Sequence, residues 1–299
     1  MQSFTPTHEE FTKRYATAID TLCEIARAYF FSGRLNDAQR LLRTSLQLIE
    51  GSERELQHRL KLLILYGQVL VVNLLITRGS ADLLFSTILN AKQIAEAAHD
   101  QQGIADALSL LGQAHNFATL VASLKNSVSP FSPQGQGKYD EALAYQQHAL
   151  ELREALHDTR GISESYFQIG VVYERAQQYD RSQEYYTKAR QVADQHGYPF
   201  EKTEPTRHSS IHALRQGNLD QALTLALQAL SLREEARFKP YLPLDHLLLR
   251  DIYEAKGDTA NAQSHIEIAS TIASEMGLTT LVSSMPNMRD LLATQQEGT

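Results

Sequence analysis

Residues 177–189 read QQYDRSQEYYTKA, and variants of that phrase stand at a fixed stride around it: GKYDEALAYQQHAL at 137–150, GNLDQALTLALQAL at 217–230 and GDTANAQSHIEIA at 257–269. Their small residues Ala142, Ser182, Ala222 and Ala262 recur every 40 residues. A fixed period of this kind marks a stack of like units, each burying its apolar face only against its neighbours. Upstream, GRLNDAQRLLRTSL (33–46) and GSADLLFSTILNA (79–91) bring Ala38 and Leu84 to the same phase, so six units result. Apolar residues follow helical spacing through almost the whole chain, and alternating strand-type runs are hard to find. The expected fold is all-α, each unit a pair of antiparallel helices. First helices are predicted near 9–32, 53–78, 101–121, 161–177, 203–216 and 241–256, second helices near 35–50, 81–98, 139–156, 179–195, 219–236 and 259–276. A last helix, about 280–295, would cover the final exposed face.

The totals agree with one folded domain spanning 1–299. Of the 299 residues 42% are hydrophobic and 21% charged, with only 8 prolines, which is a folding composition rather than a disordered one. The formal charge of -7, with no Lys/Arg-rich run, argues against direct nucleic-acid binding, which needs clustered cations to neutralise phosphates. The single cysteine, Cys23, rules out an internal disulfide and a cysteine-based zinc cluster, and a cytoplasmic location is expected. The start, MQSFTPTHEEFTKRY, lacks the basic and apolar regions of a signal peptide. LLILYGQVLVVNLLI (62–76) is shorter than the ~20 apolar residues a membrane span requires and reads as a buried helix.

The fourth unit carries Tyr166, Ile169, Gly170 and Tyr173 on its first helix and Ser182, Tyr186 and Ala189 on its second. Gly170 and Ser182 lack bulk where two helices would approach most closely, and the tyrosines can fill the space around that contact. This pattern resembles the tetratricopeptide repeat family. The third unit follows it with Leu108, Leu111, Gly112, Ala142 and Ala149, the first with Leu22, Ile25, Ala26, Tyr29 and Ala38, while the fifth and sixth have Ser210 and Arg250 in place of the glycine. The stride exceeds the family's usual repeat of about 34 residues and is similar to the longer-repeat subgroup seen in kinesin light chains and bacterial peptide-sensing regulators. The resemblance implies a right-handed α-solenoid of about six helix pairs with a C-terminal capping helix. It also implies a concave groove lined by the first helices.

By phase, the residues this resemblance projects into the groove are Arg27 and Phe30; Tyr66 and Asn73; Gln113, Asn116 and Phe117; Phe167 and Glu174; Arg207; and Asp251. A mixture of amide, aromatic and charged groups suits an extended peptide, whose backbone needs polar partners and whose side chains need pockets. The expected function is a non-catalytic module that binds a peptide or protein segment, an adaptor or regulatory sensor. A second reading, from another class, is a small-molecule binder or enzyme with a pocket enclosed by the superhelix. A third is self-assembly through exposed repeat ends, which would give a homodimer or larger oligomer. No cofactor is called for: the chain has no Gly-rich phosphate loop, no Gly-x-Ser-x-Gly and no Cys cluster. His208 and His212, four apart, share a helical face with metal-ligand spacing, yet no third ligand stands nearby, so hydrogen bonding between helices is the favoured reading.

Two further features ask for an account. AKQIAEAAHDQQGIADA (91–107) and ALELREALHDTRGISES (149–165) share His-Asp-x-x-Gly. Each falls where one unit ends and the next begins, so Asp100 and Asp158 are expected to cap the following helix and His99 and His157 to sit at the preceding carboxyl end. Between Phe117 and Lys138, the third unit holds an insertion whose loop, about 123–137, places Phe131 between Pro130 and Pro133. A lid over the groove and an inert surface loop are the two readings of it.

Overall fold

The computed structural model describes residues 8–49, 56–125, 139–279, 281–284 and 287. Twelve long helices form six antiparallel pairs: α1 (His8–Phe31) with α2 (Leu35–Leu48), α3 (Leu56–Thr77) with α4 (Asp82–Ala97), α5 (Gln101–Lys125) with α6 (Asp140–Ala155), α7 (Thr159–Arg175) with α8 (Tyr179–His196), α9 (Pro199–Arg215) with α10 (Leu219–Glu235), and α11 (Leu242–Ala255) with α12 (Thr259–Glu275). These are the sequence-derived helices, with ends moved by a few residues. A short α13 (Leu281–Ser284) follows; the rest of the expected terminal helix lies outside the described residues, as do Phe131 and most of the 123–137 loop. α5 itself runs on to Lys125, through the first residues assigned to that loop.

Each second helix packs on its own first helix and on the first helix of the next pair. First helices also touch in series, α1 on α3, α3 on α5, α5 on α7, α7 on α9 and α9 on α11, so they form one continuous inner wall. The chain is an α-solenoid. α3 is apolar on most of its circumference, as its position demands: it packs among α1, α2, α4 and α5 and buries Leu60, Leu63, Val69, Leu70 and Ile76 among others. It is the one described helix long and apolar enough to cross a membrane, and here most of that apolar stretch is enclosed by the stack.

The stride-marking residues explain the pairing. Ala38, Leu84, Ala142, Ser182, Ala222 and Ala262 are all buried where paired helices meet. A Cβ added to Gly170 would lie 2.6 Å from the Tyr186 ring and 3.2 Å from the Ser182 carbonyl oxygen, so that contact requires glycine. In the fifth pair, Ser210 replaces it and donates its hydroxyl to the Ala222 carbonyl at 2.7 Å, which keeps the polar atom satisfied in a buried place.

The His-Asp pairs are unit junctions. His99 (φ 52°) and His157 (φ 56°) take the left-handed conformation that ends a helix, and the next residue's amide reaches back to Ala95 and Arg153. Asp100 then accepts from Gly103 N–H and Asp158 from Gly161 N–H, each at 3.0 Å, capping α5 and α7.

Candidate functional site

The inner wall does not stay open. Phe30 and Phe31, at the end of α1, meet Phe238, in the junction after α10: ring centroids lie 5.3 Å and 5.1 Å from it, both edge-on. Phe200 of α9 packs against Phe31 at 5.7 Å and Phe238 at 5.3 Å, and Tyr241 adds a further edge contact to Phe238. Nearby, a Cβ on Gly33, in the α1–α2 turn, would lie 2.8 Å from Met276 at the end of α12. The first pair thus touches the last two, and the solenoid closes on itself through an aromatic clasp. Edge-to-face aromatic pairs each contribute about 0.5–1.5 kcal/mol beyond their buried area.

Inside the closed turn is a cavity of about 680 Å³ lined by every first helix. Helical spacing aims the lining: Gln68, Val71, Val72 and Leu75 on α3, Phe167, Val171 and Glu174 on α7, and His208 and Ile211 on α9 each occupy one face. Most of the surface is aliphatic or aromatic. Charged groups stand among it, nearly all held by one another.

Three networks hold them. Arg153 of α6, only 2% exposed, donates to Gly161 O and Ser165 Oγ through Nη1, and to Asp106 and Glu164 through Nη2 at 3.1 Å. Burial pushes the Asp106 carboxyl up against the opposing pull of Arg153, whereas the surrounding carboxylates raise the already basic Arg153 despite its own burial. Arg233 of α10 stands at the same phase two strides later. It grips Asp245 through Nε at 2.7 Å and also binds Glu204, while Arg207 approaches Asp245 at 3.3 Å. Burial raises Glu204, but Arg233 and Arg207 outweigh it and hold that carboxyl below the usual range.

The third network lies in the cavity wall. Glu174 Oε2 is 2.9 Å from His208 Nδ1 and 3.3 Å from His212 Nε2, and accepts from Tyr186 OH at 2.8 Å. Burial alone would raise the Glu174 carboxyl; the His208 and His212 contacts, with Arg175, hold it well below the carboxylate range. Burial and the Glu174 charge push the Tyr186 phenol up. The two histidines are therefore bridges between helices, the reading favoured for want of a third metal ligand.

Residues 134–195 match the tetratricopeptide repeat family. That stretch carries tetratricopeptide repeats. No curated protein sequence matches it. Among solved structures, a Rap protein complexed with competence and sporulation factor is similar over 90% of this chain and 74% of its own, with a TM-score of 0.58. The apo form of RapI covers 87% of this chain and 84% of its own at 0.56, and BtubC (BKLC) from P. vanneervenii 87% and 92% at 0.52. All three are 13% identical to this chain, so the likeness is one of fold.

Of the groove residues named from repeat phase, Arg27, Phe30, Gln113, Phe117, Phe167, Glu174, Arg207 and Asp251 line the cavity. Tyr66 lies in the hydrophobic core. Asn73 is half-buried and outside the lining. Asn116 is 1% exposed, also outside the lining, and neither of its amide atoms has a hydrogen-bond partner. The repeat phase did not reveal Phe31, Gln68, Phe200, Phe238 or Tyr241, which come from the clasp and from α3. A signal for one of them exists: Phe238, like Tyr198, stands at the phase of Asp158, so these two junctions exchange the capping acid for an aromatic residue. Tyr198 instead bonds Thr159 Oγ1 at 2.9 Å and packs under Arg160.

Proposed function

We propose that this repeat protein is a non-catalytic recognition module, an adaptor or regulatory sensor of the cytoplasm, whose inner cavity takes a short extended peptide segment. The supporting observation is the character of the cavity wall. Apolar positions such as Phe117, Phe167, Val171 and Ile211 offer side-chain pockets, while Arg27 and Gln68, both exposed and without a hydrogen bond or ion pair among the described residues, remain available to a backbone or a charged end. Arg27 and Gln68 come from different repeats, so a ligand must be long enough to span units to use both. A similarly folded Rap protein has been captured with competence and sporulation factor, which fits a recognition role for this architecture.

A second reading has an observation of its own. The clasp bounds the cavity, its volume falls in the range of about 300–1,000 Å³ usual for small-molecule sites, and Glu174 and His208 converge in its wall. One experiment separates the two. The tagged chain is passed through native lysate, washed and denatured, and the released material is analysed by mass spectrometry for peptides and for small molecules. Enriched peptides support the first reading, a single retained metabolite the second. An eluate identical to that from a clasp-broken Phe238→Ala variant would count against both.

A further inference from the structure

A second cavity, about 270 Å³, lies apart from the inner one, where α8 and α10 both pack on α9. Its walls follow from helical spacing: Tyr179, Gln183 and Arg190 share a face of α8, Ser209 and His212 a face of α9, and Gln216 follows just past the end of α9. Arg215 completes it, with its guanidinium carbon 3.2 Å from the centroid of the Tyr179 ring.

The charges here differ from those of the two buried arginine networks. Arg153 and Arg233 are each matched by two carboxylates, and the chain as a whole has more acids than bases, 35 against 28. Arg190 and Arg215 are half-buried, converge on one cavity, and have no carboxylate partner among the described residues. The Nε atom of each is buried without a hydrogen bond. A guanidinium withdrawn from water without a counter-ion is costly, and its planar array of N–H donors matches an oxyanion. Neighbouring groups suit the same guest. Ser209 accepts from Gln183 at 3.1 Å, which leaves its hydroxyl hydrogen free to donate, and His212 uses Nε2 toward Glu174 and Ser182, leaving Nδ1 for the cavity side. The only acid in the lining is Asp180, which is exposed and offers neither arginine an ion pair.

We infer that the cavity between α8, α9 and α10 is an oxyanion site, in which Arg190 and Arg215 bind the phosphate or carboxylate group of a small molecule with Ser209 and His212 completing the cradle. The site is separate from the inner cavity, so its success or failure leaves the peptide reading where it stands.

The test uses the full chain, titrated calorimetrically with inorganic phosphate, O-phosphoserine and acetate while the imidazole resonances of His212 are followed by NMR. Saturable binding that shifts His212 is expected. Arg190→Gln and Arg215→Gln should each weaken it by about tenfold or more, the loss of a charge-assisted hydrogen bond. Arg190→Lys keeps the charge and should retain part of the affinity, and Arg40→Gln, on the exposed side of α2 and outside both cavities, should leave it unchanged. Binding by the phosphate ligands alone assigns the site to phosphate groups, with phosphoserine above inorganic phosphate pointing to an organic ester; binding by acetate as well assigns it to oxyanions in general. Both outcomes uphold the site. No saturable heat with any of the three and unmoved His212 resonances would overturn it, as would wild-type affinity in the Arg190→Gln/Arg215→Gln double variant whose circular dichroism shows it folded.

Discussion

Phe31 of the first repeat and Phe238 of the junction before the sixth meet edge-on, their ring centroids 5.1 Å apart. With the Phe30–Phe238 and Phe31–Phe200 contacts beside it, this contact turns an open stack into a closed one. Neighbour-to-neighbour packing dictates only that each pair rests on the next; a contact between the ends adds a long-range restraint and bounds the inner cavity.

The clasp is therefore expected to contribute both stability and shape. Phe238 is 3% exposed and touches Phe30, Phe31, Phe200 and Tyr241. Phe238→Ala should cost about 3–5 kcal/mol, the usual range for a core Phe truncation, measured by urea unfolding. Small-angle scattering should show a larger radius of gyration. A variant equally destabilised but no more expanded would mean that the ends stay together without these rings.

Arg233 is the most enclosed cation among the described residues, 1% exposed, between Asp245 and Glu204. Arg233→Ala leaves Asp245 buried with only Arg207 near it, and should destabilise by about 3–5 kcal/mol. An Arg233→Ala/Asp245→Ala double variant should recover part of that loss, because it removes the stranded charge. Chemical denaturation of the two single variants and the double variant closes the cycle.

Glu174 gives the fold a pH dependence of known sign. Its carboxyl sits well below the ordinary value of 4.5, so the unfolded chain binds the proton first. The stabilisation is complete above about pH 4.5 and is lost as pH falls through the lower folded value. Glu174→Gln should be less stable at pH 7 by about 1–3 kcal/mol. Its stability should also fall less steeply than wild type between pH 5 and 3, as thermal melts across that window would show.

Asn116 carries the opposite expectation. Its amide is buried without a partner, and an unsatisfied buried polar group costs about 1–3 kcal/mol. Asn116→Leu, close in volume, should raise the melting temperature and leave ligand retention unchanged. A drop in stability would show that the amide has a partner, such as a bound water.

How far the sequence carried the account depends on which force sets each feature. The helix pairs were legible because their determinants are local: an apolar stripe, a small residue at the point of closest approach, and a capping Asp such as Asp158 at a unit junction. Residues like Phe167 and Glu174 were legible as cavity lining because repeat phase fixes which side of a first helix faces inward. Asn116 was not, since it lies one residue from Phe117, and a shift of about 100° around a helix turns it from the cavity into the packed interior. The clasp was invisible for a different reason. Phe31 and Phe238 each look like ordinary junction aromatics, and only the accumulated rotation of the intervening pairs brings them together.

The measurement that bears most directly on the central claim is calorimetric titration of a synthetic copy of a lysate-retained peptide into wild type and into Gln68→Trp. Gln68 is exposed yet lines the inner cavity, so tryptophan there fills the space without disturbing the core. The account predicts saturable binding to wild type that is lost or weakened at least about tenfold, about 1.4 kcal/mol, in the variant. Equal affinity for both proteins, with the variant folded, would place the ligand somewhere other than the inner cavity and contradict the account.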